Sequence, residues 1–507
     1  MDINETMSLL LVSAFCAVQI AYALSQCLDL YFFTRPVNWV DPNTARDKPA
    51  DEYPYIVLFY PVLRELEETM RTTFHSLSRL EYPPGRYSVI AIPNRDDTET
   101  VAALKRLQRE FPFVRIIEVP PTTHSSWNRV WTAWQRTPKA YWWHRGRRRH
   151  NRALPPKKTR QLVYAFYQVV AVLGQKEDFL VNYIDADSCP PRDHFLAAAI
   201  GIQDYDVLQA QNVAGNLNDT LAASWHAFDH MAWDGSKYPH LSAGGTHPYW
   251  VLGKGLFFRA SDLVALGGFH PWLTIEDPEV GMRFWVNGKR LGIIQGSLVE
   301  EVPSTFAHGI TQRKRWVAGF FQSLGTPLAA MGMEPRDRFK AWLNFLPCMS
   351  LWLNAVGVPI GIWALWRWYD ATSPLPLWLL PLVALNLFCF ALSMTMLYIR
   401  TWRRTALVLD SVWARIWYMA RVNPLFVMIW WVVWLIPLAI GFKMYLRDEG
   451  LVWERTEKSD ANNELVRTGA ARTRRVAGRR EAAVPVAVPA AGGPDLVPSP
   501  SRSLSDV

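Results

Sequence analysis

The sequence predicts an α/β domain with a mostly parallel sheet, carried on apolar helices that cross a membrane. Three observations point there. Short apolar runs alternate with helical patterns from Tyr55 to Ile184. Four longer apolar stretches flank that alternation, one before it and three after it. Half of the 507 residues are hydrophobic and 20% are charged, too polar a chain to lie wholly in lipid, yet 25 Trp, 24 Phe and 18 Tyr make it richer in aromatics than a soluble enzyme. The net charge of +9 is a mild bias, not a nucleic-acid signature. Of the five cysteines, Cys16, Cys27, Cys348 and Cys389 sit in apolar runs and Cys189 stands alone, which excludes a disulfide framework and a Cys-based zinc site.

Within the α/β region, Tyr55–Tyr60 is a buried-strand run ended by Pro61, followed by a helical pattern through Leu63, Leu66, Met70, Phe74 and Leu77. Tyr87–Ile92 is a second strand, Thr98–Arg109 a helix, Phe113–Val119 a third strand, Thr159–Leu173 a helix and Phe179–Ile184 a fourth strand. Strands alternating with helices imply parallel pairing with helices on both faces. Ligands bind such sheets beyond the strands' carboxyl ends.

The apolar stretches run from Met7 to Phe33, Ala341 to Trp366, Leu375 to Ile399 and Leu425 to Leu446. Each has about the 20 residues a bilayer requires. The first is too long for a signal-peptide core and lacks a basic start and a cleavage site. Arg35, Arg46 and Lys48 follow it, and Arg400, Arg403, Arg404, Arg415 and Arg421 follow the third, which sets the large domain inside and the acidic amino-terminal stub outside. Four full crossings would put the basic tail outside; a fourth segment interrupted by Pro437 and failing to cross would keep it inside. Arg403 to Arg421 reads as one amphipathic helix on the inner leaflet. The expected organisation is a membrane helix over 1–34, a cytosolic domain over 50–325, interfacial and membrane helices over 326–446 and a disordered basic tail over 461–507.

The carboxylates at the strand ends carry the chemistry. Asp96 and Asp97 follow the second strand, and Asp185-Ala-Asp187 follows the fourth. Paired carboxylates at that edge suit a hard divalent cation that keeps positions open for phosphate, or else form a solvated acidic turn. Asp277 before Pro278 is a helix start, or a base at the crevice edge. Arg313, Lys314 and Arg315 belong to a membrane-surface helix, or clamp a diphosphate.

The order Asp96-Asp97, Lys158, Asp185-x-Asp187, Gly253-Lys-Gly255, Gly267-Gly268-Phe269, Glu276-Asp277, Glu300-Glu301-Val-Pro303 and Gln312-x-x-Arg315-Trp316 resembles the membrane-bound family-2 glycosyltransferases, the group of cellulose, chitin and hyaluronan synthases. The resemblance extends from Tyr55 to Gln322. It implies a glycosyltransferase A-type nucleotide-sugar-binding domain facing the cytosol of a plasma-membrane protein. It implies inverting transfer of a hexose or N-acetylhexosamine from a UDP-sugar to a saccharide or lipid-linked acceptor. Asp277 would be the general base. Asp185 and Asp187 would hold Mg²⁺ or Mn²⁺, Asp185 also meeting the uridine. Asp96, Asp97, Lys158, Glu276, Gln312, Arg315 and Trp316 would bind substrate. A β-polysaccharide synthase is the implied subclass; a single-addition glycolipid-forming transferase and a non-catalytic nucleotide-sugar-binding partner are its rivals. Three spans after Q-x-x-R-W are few for an export channel, so export would call on a second copy or a partner subunit.

The chain departs from the family pattern in Thr274-Ile-Glu-Asp277, one residue longer than usual, and in Tyr60-Pro61-Val-Leu-Arg-Glu65, of which only Glu65 matches. An insertion over 123–157 holds Trp127, Trp131, Trp134, Trp142 and Trp143 and then an arginine run, and reads as a surface insertion pinned by tryptophan, ahead of a membrane or glycan contact. Cys189 is expected to be inert and His308 structural.

Overall fold

The computed structural model describes residues 3–40, 49–326, 331–349, 351–369, 377–448 and 458–468. Its centre is an eight-stranded sheet made of β1 (Trp39–Val40), β2 (Ile56–Val62), β3 (Tyr87–Pro93), β4 (Val114–Ile116), β5 (Leu180–Tyr183), β6 (Val207–Ala214), β7 (Leu256–Arg259) and β8 (Leu291–Glu300). The spatial order is β1-β8-β6-β7-β5-β2-β3-β4. All pairs are parallel except those of β7, which runs antiparallel to β5 and β6. The mostly parallel sheet predicted from the alternation is therefore present. β2, β5 and β6 are buried along their whole length, as strands covered on both faces must be. Alternate residues feed two apolar layers. Val57, Phe59, Ile90 and Val181 pack under the helix Lys158–Leu173, while Ile56, Leu58 and Val89 face Glu67–Leu77, Thr98–Glu110 and His194–Gly201.

Two strand ends differ from expectation. β2 continues through Pro61 to Val62, because β5 pairs with it only as far as Phe59 and a missing N–H beyond that point costs no ladder bond on the open side. β4 keeps only three residues, since at the sheet edge it has a single neighbour and Pro120-Pro121 follow closely.

The five tryptophans of the insertion are all buried in the layer beneath the Lys158–Leu173 helix. Trp131 stacks on Trp127 and on Trp143, with ring centroids 5.3 and 5.5 Å apart. Arg145, Arg147 and Arg149 stay exposed. The aromatic half of the insertion thus extends the core.

Among the described residues, three helices are long and apolar enough to cross a membrane: Glu5–Thr34, Leu377–Thr405 and Pro424–Leu446. In the stretch read as a span from Ala341 to Trp366, residues 341–349 belong to the helix Pro335–Met349 and residues 351–366 to the helix Leu351–Tyr369, with residue 350 between them outside the described residues. The first of these packs on the α/β domain: Asn344 donates to the carbonyls of Leu241 and Pro248 and accepts from Arg35. The single amphipathic helix expected over Arg403–Arg421 is also two elements. Leu380–Thr405 ends the long helix, and Ser411 caps a separate Val412–Arg421, because Asp410-Ser411 offers a start signal that breaks the run. That short helix exposes Trp413, Ile416 and Trp417 on one side.

Pro424–Leu446 is flanked on both sides by residues that touch the α/β domain. At its start Arg421 donates to the Asn218 carbonyl at 2.6 Å. Just past its end Asp448 pairs with Arg148 at 3.1 Å. The tail expected to be disordered from 461 is ordered where it begins. Residues 458–468 lie on the α/β domain, the helix Asn463–Thr468 packs against Glu67–Leu77, and Val466 is buried, so this short piece does bury apolar surface. The rest of the tail, with Arg46 and Lys48 of the first loop, lies outside the described residues.

Candidate functional site

The carboxyl ends of β2 and β5 open into a cavity of about 1170 Å³ that continues between the apolar helices. Asp185, Asp187, Lys158, Glu276, Asp277, Gln312, Arg315 and Trp316 all line it, so eight of the ten site residues expected from the sequence converge. Asp96 and Asp97 do not line it. Asp97 instead caps the helix Thr98–Glu110 and accepts from the Arg64 N–H at 2.9 Å, and Asp96 is exposed beside it.

The D-x-D turn is fixed by its backbone. The Ala186 carbonyl accepts from the hydroxyls of Tyr60 (2.6 Å) and Thr73 (2.8 Å), and Cys189 exchanges both backbone hydrogen bonds with Val299 of β8. Held this way, the turn carries both aspartates to the cavity. Cys189 itself is buried under the turn, where burial pushes its thiol up and out of the reactive range.

Lys158 opens the helix Lys158–Leu173 and reaches to Asp185 Oδ1 (2.5 Å) and the Gly253 carbonyl (2.6 Å). Burial pulls its pKa down, but the Asp185 and Glu276 carboxylates outweigh burial and hold it above the usual lysine value. Asp187 is buried and accepts through Oδ2 from the Glu301 N–H (3.0 Å) and the Lys458 ammonium (2.5 Å). Burial would raise its pKa, yet Lys458 and the Glu301 N–H keep it below the ordinary carboxylate range.

Asp277 starts the helix Asp277–Val286, with Pro278 in its first turn. Its Oδ2 accepts from the Gly253 N–H at 3.0 Å. Burial, reinforced by the Glu276 carboxylate and opposed by Lys158, pushes its pKa up to about 7. Glu276 accepts from the Thr159 hydroxyl at 3.0 Å. Thr274, at the start of the lengthened Thr274-Ile-Glu-Asp277, lines the cavity, and its backbone N–H donates to the Gln322 side chain at 2.7 Å, tying the loop to the helix Phe306–Leu324.

That helix presents Gln312, Arg315 and Trp316, three and four residues apart, on the cavity side. Arg313 points away. It is fully buried, pairs with Asp229 at 2.7 Å, and its guanidinium lies within 5.5 Å of the ring centroids of Trp316, Trp430 and Trp434. Asp229 also accepts from the indole N–H groups of Trp430 and Trp434, both at 2.9 Å. Arg313 is therefore committed to holding Pro424–Leu446 against the site and is not part of a diphosphate clamp.

Three residues at the site escaped sequence reasoning. Lys254 pairs with Glu300, whose carboxyl burial pushes up to about 7 against the pull of that lysine. Its signal was Gly253-Lys-Gly255: Gly255 has φ +63°, and a Cβ there would meet Leu298 at 2.7 Å. Asp229 and Lys458 carried no signal, because each acts through a partner far along the chain.

Asp185 and Asp187 fit a hard divalent cation. Each spends one carboxylate oxygen on its lysine, and the cavity gives access to the pair. Among the described residues no three His, Cys, Asp or Glu side chains cluster.

Among solved structures, the mannosyltransferase PcManGT from Pyrobaculum calidifontis in complex with GDP-Man and Mn²⁺ is similar over 88% of this chain and 99% of its own, at 15% identity and a TM-score of 0.48. S. aureus TarS 1-349 in complex with UDP matches 57% of this chain and 69% of its own, at 11% identity and a TM-score of 0.30. The same protein with UDP-GlcNAc matches 78% and 92%, at 10% identity and a TM-score of 0.33. No curated protein sequence matches. The family described as glycosyl transferase family group 2 matches residues 180–445, just over half of the chain, a stretch that includes the D-x-D, Asp277 and Q-x-x-R-W. The chain belongs to glycosyl transferase family group 2 and is a glycosyltransferase.

Proposed function

We propose that this glycosyltransferase moves a hexose or N-acetylhexosamine from a UDP-sugar, with inversion, to a saccharide or lipid-linked acceptor, and that it is a β-polysaccharide synthase of the cellulose, chitin and hyaluronan kind. The observation that carries the reading is Asp277: a carboxyl with a pKa near 7 lies in one cavity with the D-x-D and with Arg315. A base poised near working pH is what a single displacement at the anomeric carbon requires. The acceptor oxygen forms its bond to that carbon as the bond to the diphosphate oxygen breaks. The acceptor proton goes to Asp277 and the electron pair leaves with UDP. Lys158 and Arg315 offset the charge that develops on the diphosphate, Gln312 hydrogen-bonds it, and Trp316 offers a face on which a sugar can stack. Asp185 and Asp187 would hold Mg²⁺ or Mn²⁺, which supplies further neutralisation of the leaving group. Asp96 and Asp97 take the uracil or ribose at the neighbouring strand end, and Glu276 orients the donor beside Asp277.

The membrane arrangement belongs to the same reading. Glu5–Thr34 and Leu377–Thr405 cross, Leu351–Tyr369 supplies the crossing that precedes Leu377–Thr405, and Pro424–Leu446, although long and apolar enough to span, lies against the α/β domain, since the residues flanking both its ends meet that domain. The basic residues from Arg400 to Arg421 then share the cytosolic side of the plasma membrane with the site. A second reading, single addition to a lipid, is favoured by the cavity's far wall, where Val383, Leu387, Met428 and Ile429 are aliphatic and suit a hydrocarbon chain.

Incorporation from a panel of labelled UDP-sugars into membranes holding the full chain, with Mg²⁺ or Mn²⁺, tests the proposal. One donor should be used, and product length should grow with the ratio of donor to acceptor. A product stopped at one sugar selects the second reading. UDP binding without turnover makes the chain a non-catalytic partner.

A further inference from the structure

The segment after the last apolar helix returns to the donor end of the cavity. Its first described residue, Lys458, lines that cavity and donates to Asp187 Oδ2 (2.5 Å) and to the Glu301 carbonyl (3.1 Å). The segment is anchored and not merely adjacent. The Glu301 carboxylate accepts from the N–H groups of Ser459 (3.0 Å) and Ala461 (2.6 Å), and Arg79 donates to the Val466 and Arg467 carbonyls. Val466 is buried in the cluster that holds Cys189 and Val299, the two residues that pin the D-x-D turn. A lysine kept this far from water is normally paired, and here the partner is the second aspartate of the turn itself. Among the described residues the Asp187 side-chain hydrogen bonds, from Lys458 and the Glu301 N–H, both use Oδ2.

Resting on the donor reading above, we propose that Lys458 is a donor-site residue: the returning segment brings a fixed positive charge to the D-x-D, where it holds Asp187 in place and meets the diphosphate of the bound nucleotide. The site is then built from two distant parts of the chain, and the carboxyl-terminal segment is a component of it. A charge-assisted contact to phosphate is worth about 1.5–3 kcal/mol, about ten- to a hundredfold in affinity.

The test is binding of UDP and of uridine to the full chain in detergent, each with and without Mn²⁺, for wild type, Lys458→Met and Lys458→Arg. Methionine keeps the stem and removes the charge, and thermal denaturation checks that each variant is folded. The expected result is a loss of about tenfold or more in UDP affinity for Lys458→Met, largely restored by arginine, with uridine affinity unchanged. UDP affinity equal to wild type, or tighter, in Lys458→Met would overturn the proposal, the tighter case making the lysine a plug that competes with the metal. An equal loss for UDP and uridine would also overturn it, as the mark of a structural role. If wild type binds no UDP at all, the donor reading fails first and this proposal with it.

Discussion

The cavity has two walls, and they do different work. The α/β wall is ionic: Asp185, Asp187 and Glu300 each meet a lysine, and Asp277 sits among them with a raised pKa. The helical wall is apolar and aromatic, and at its edge buried Arg313 pairs with Asp229, which clamps Pro424–Leu446 in place. On the proposed function, chemistry would belong to the first wall and the placing of the acceptor to the second. Changes in the ionic wall should alter pH dependence and turnover, whereas changes in the helical wall should first alter stability.

The largest stability effect is expected in the helical wall. Asp229→Ala leaves a buried guanidinium without its partner and strips the acceptor from two indole N–H groups, so it should cost about 3–5 kcal/mol, read as a fall in thermal midpoint in detergent. If the midpoint holds, the clamp does not hold that wall. In the ionic wall, Glu276→Gln removes the second cause of the raised Asp277 pKa. The sign is set by the carboxyl: below about pH 7 it is protonated and cannot accept a proton, so kcat/KM should rise with pH and level off above that value. The variant should move this rise to lower pH, and an unmoved profile would assign the rise to another group. Folding follows the same linkage, for a carboxyl that keeps its proton longer in the folded state makes stability fall as pH rises from about 4 to about 7. The smallest effect belongs to the rim. Asp448→Asn removes a half-exposed pair with Arg148 and should cost less than about 1 kcal/mol. A larger loss would mean that this pair, rather than the buried clamp, secures the end of Pro424–Leu446.

The two walls were also unequally legible in the sequence. β2, β3 and β5 could be read because strands buried on both faces are continuous apolar runs. β6 could not, because the buried polar residues Gln209, Gln211 and Asn212 interrupt it; Gln209 donates to the Lys254 and Ala210 carbonyls and Gln211 accepts from Arg404. β8 carries Gly292, Gly296 and a register shift opposite Ala210, which hide its period. The convergence of Asp185, Asp187, Asp277, Gln312, Arg315 and Trp316 on one cavity was legible only through the family resemblance that their order carries. In the helical wall, apolar length marked each helix but not its course. Ala341–Trp366 and Pro424–Leu446 look like spans, yet the first begins on a helix that packs on the α/β domain and residues flanking the second meet that domain, which only contacts with distant residues such as Leu241, Asn218 and Arg148 reveal. Lys458 was hidden for the same reason.

The most direct test of the account compares wild type with Asp277→Asn in membranes, measuring sugar transfer and UDP binding together. The account predicts that transfer falls by about a hundredfold or more while UDP binding stays near wild type, because the base acts on the acceptor and not on the nucleotide. Transfer at the wild-type rate in the variant would contradict it, and would return Asp277 to the part of a helix start.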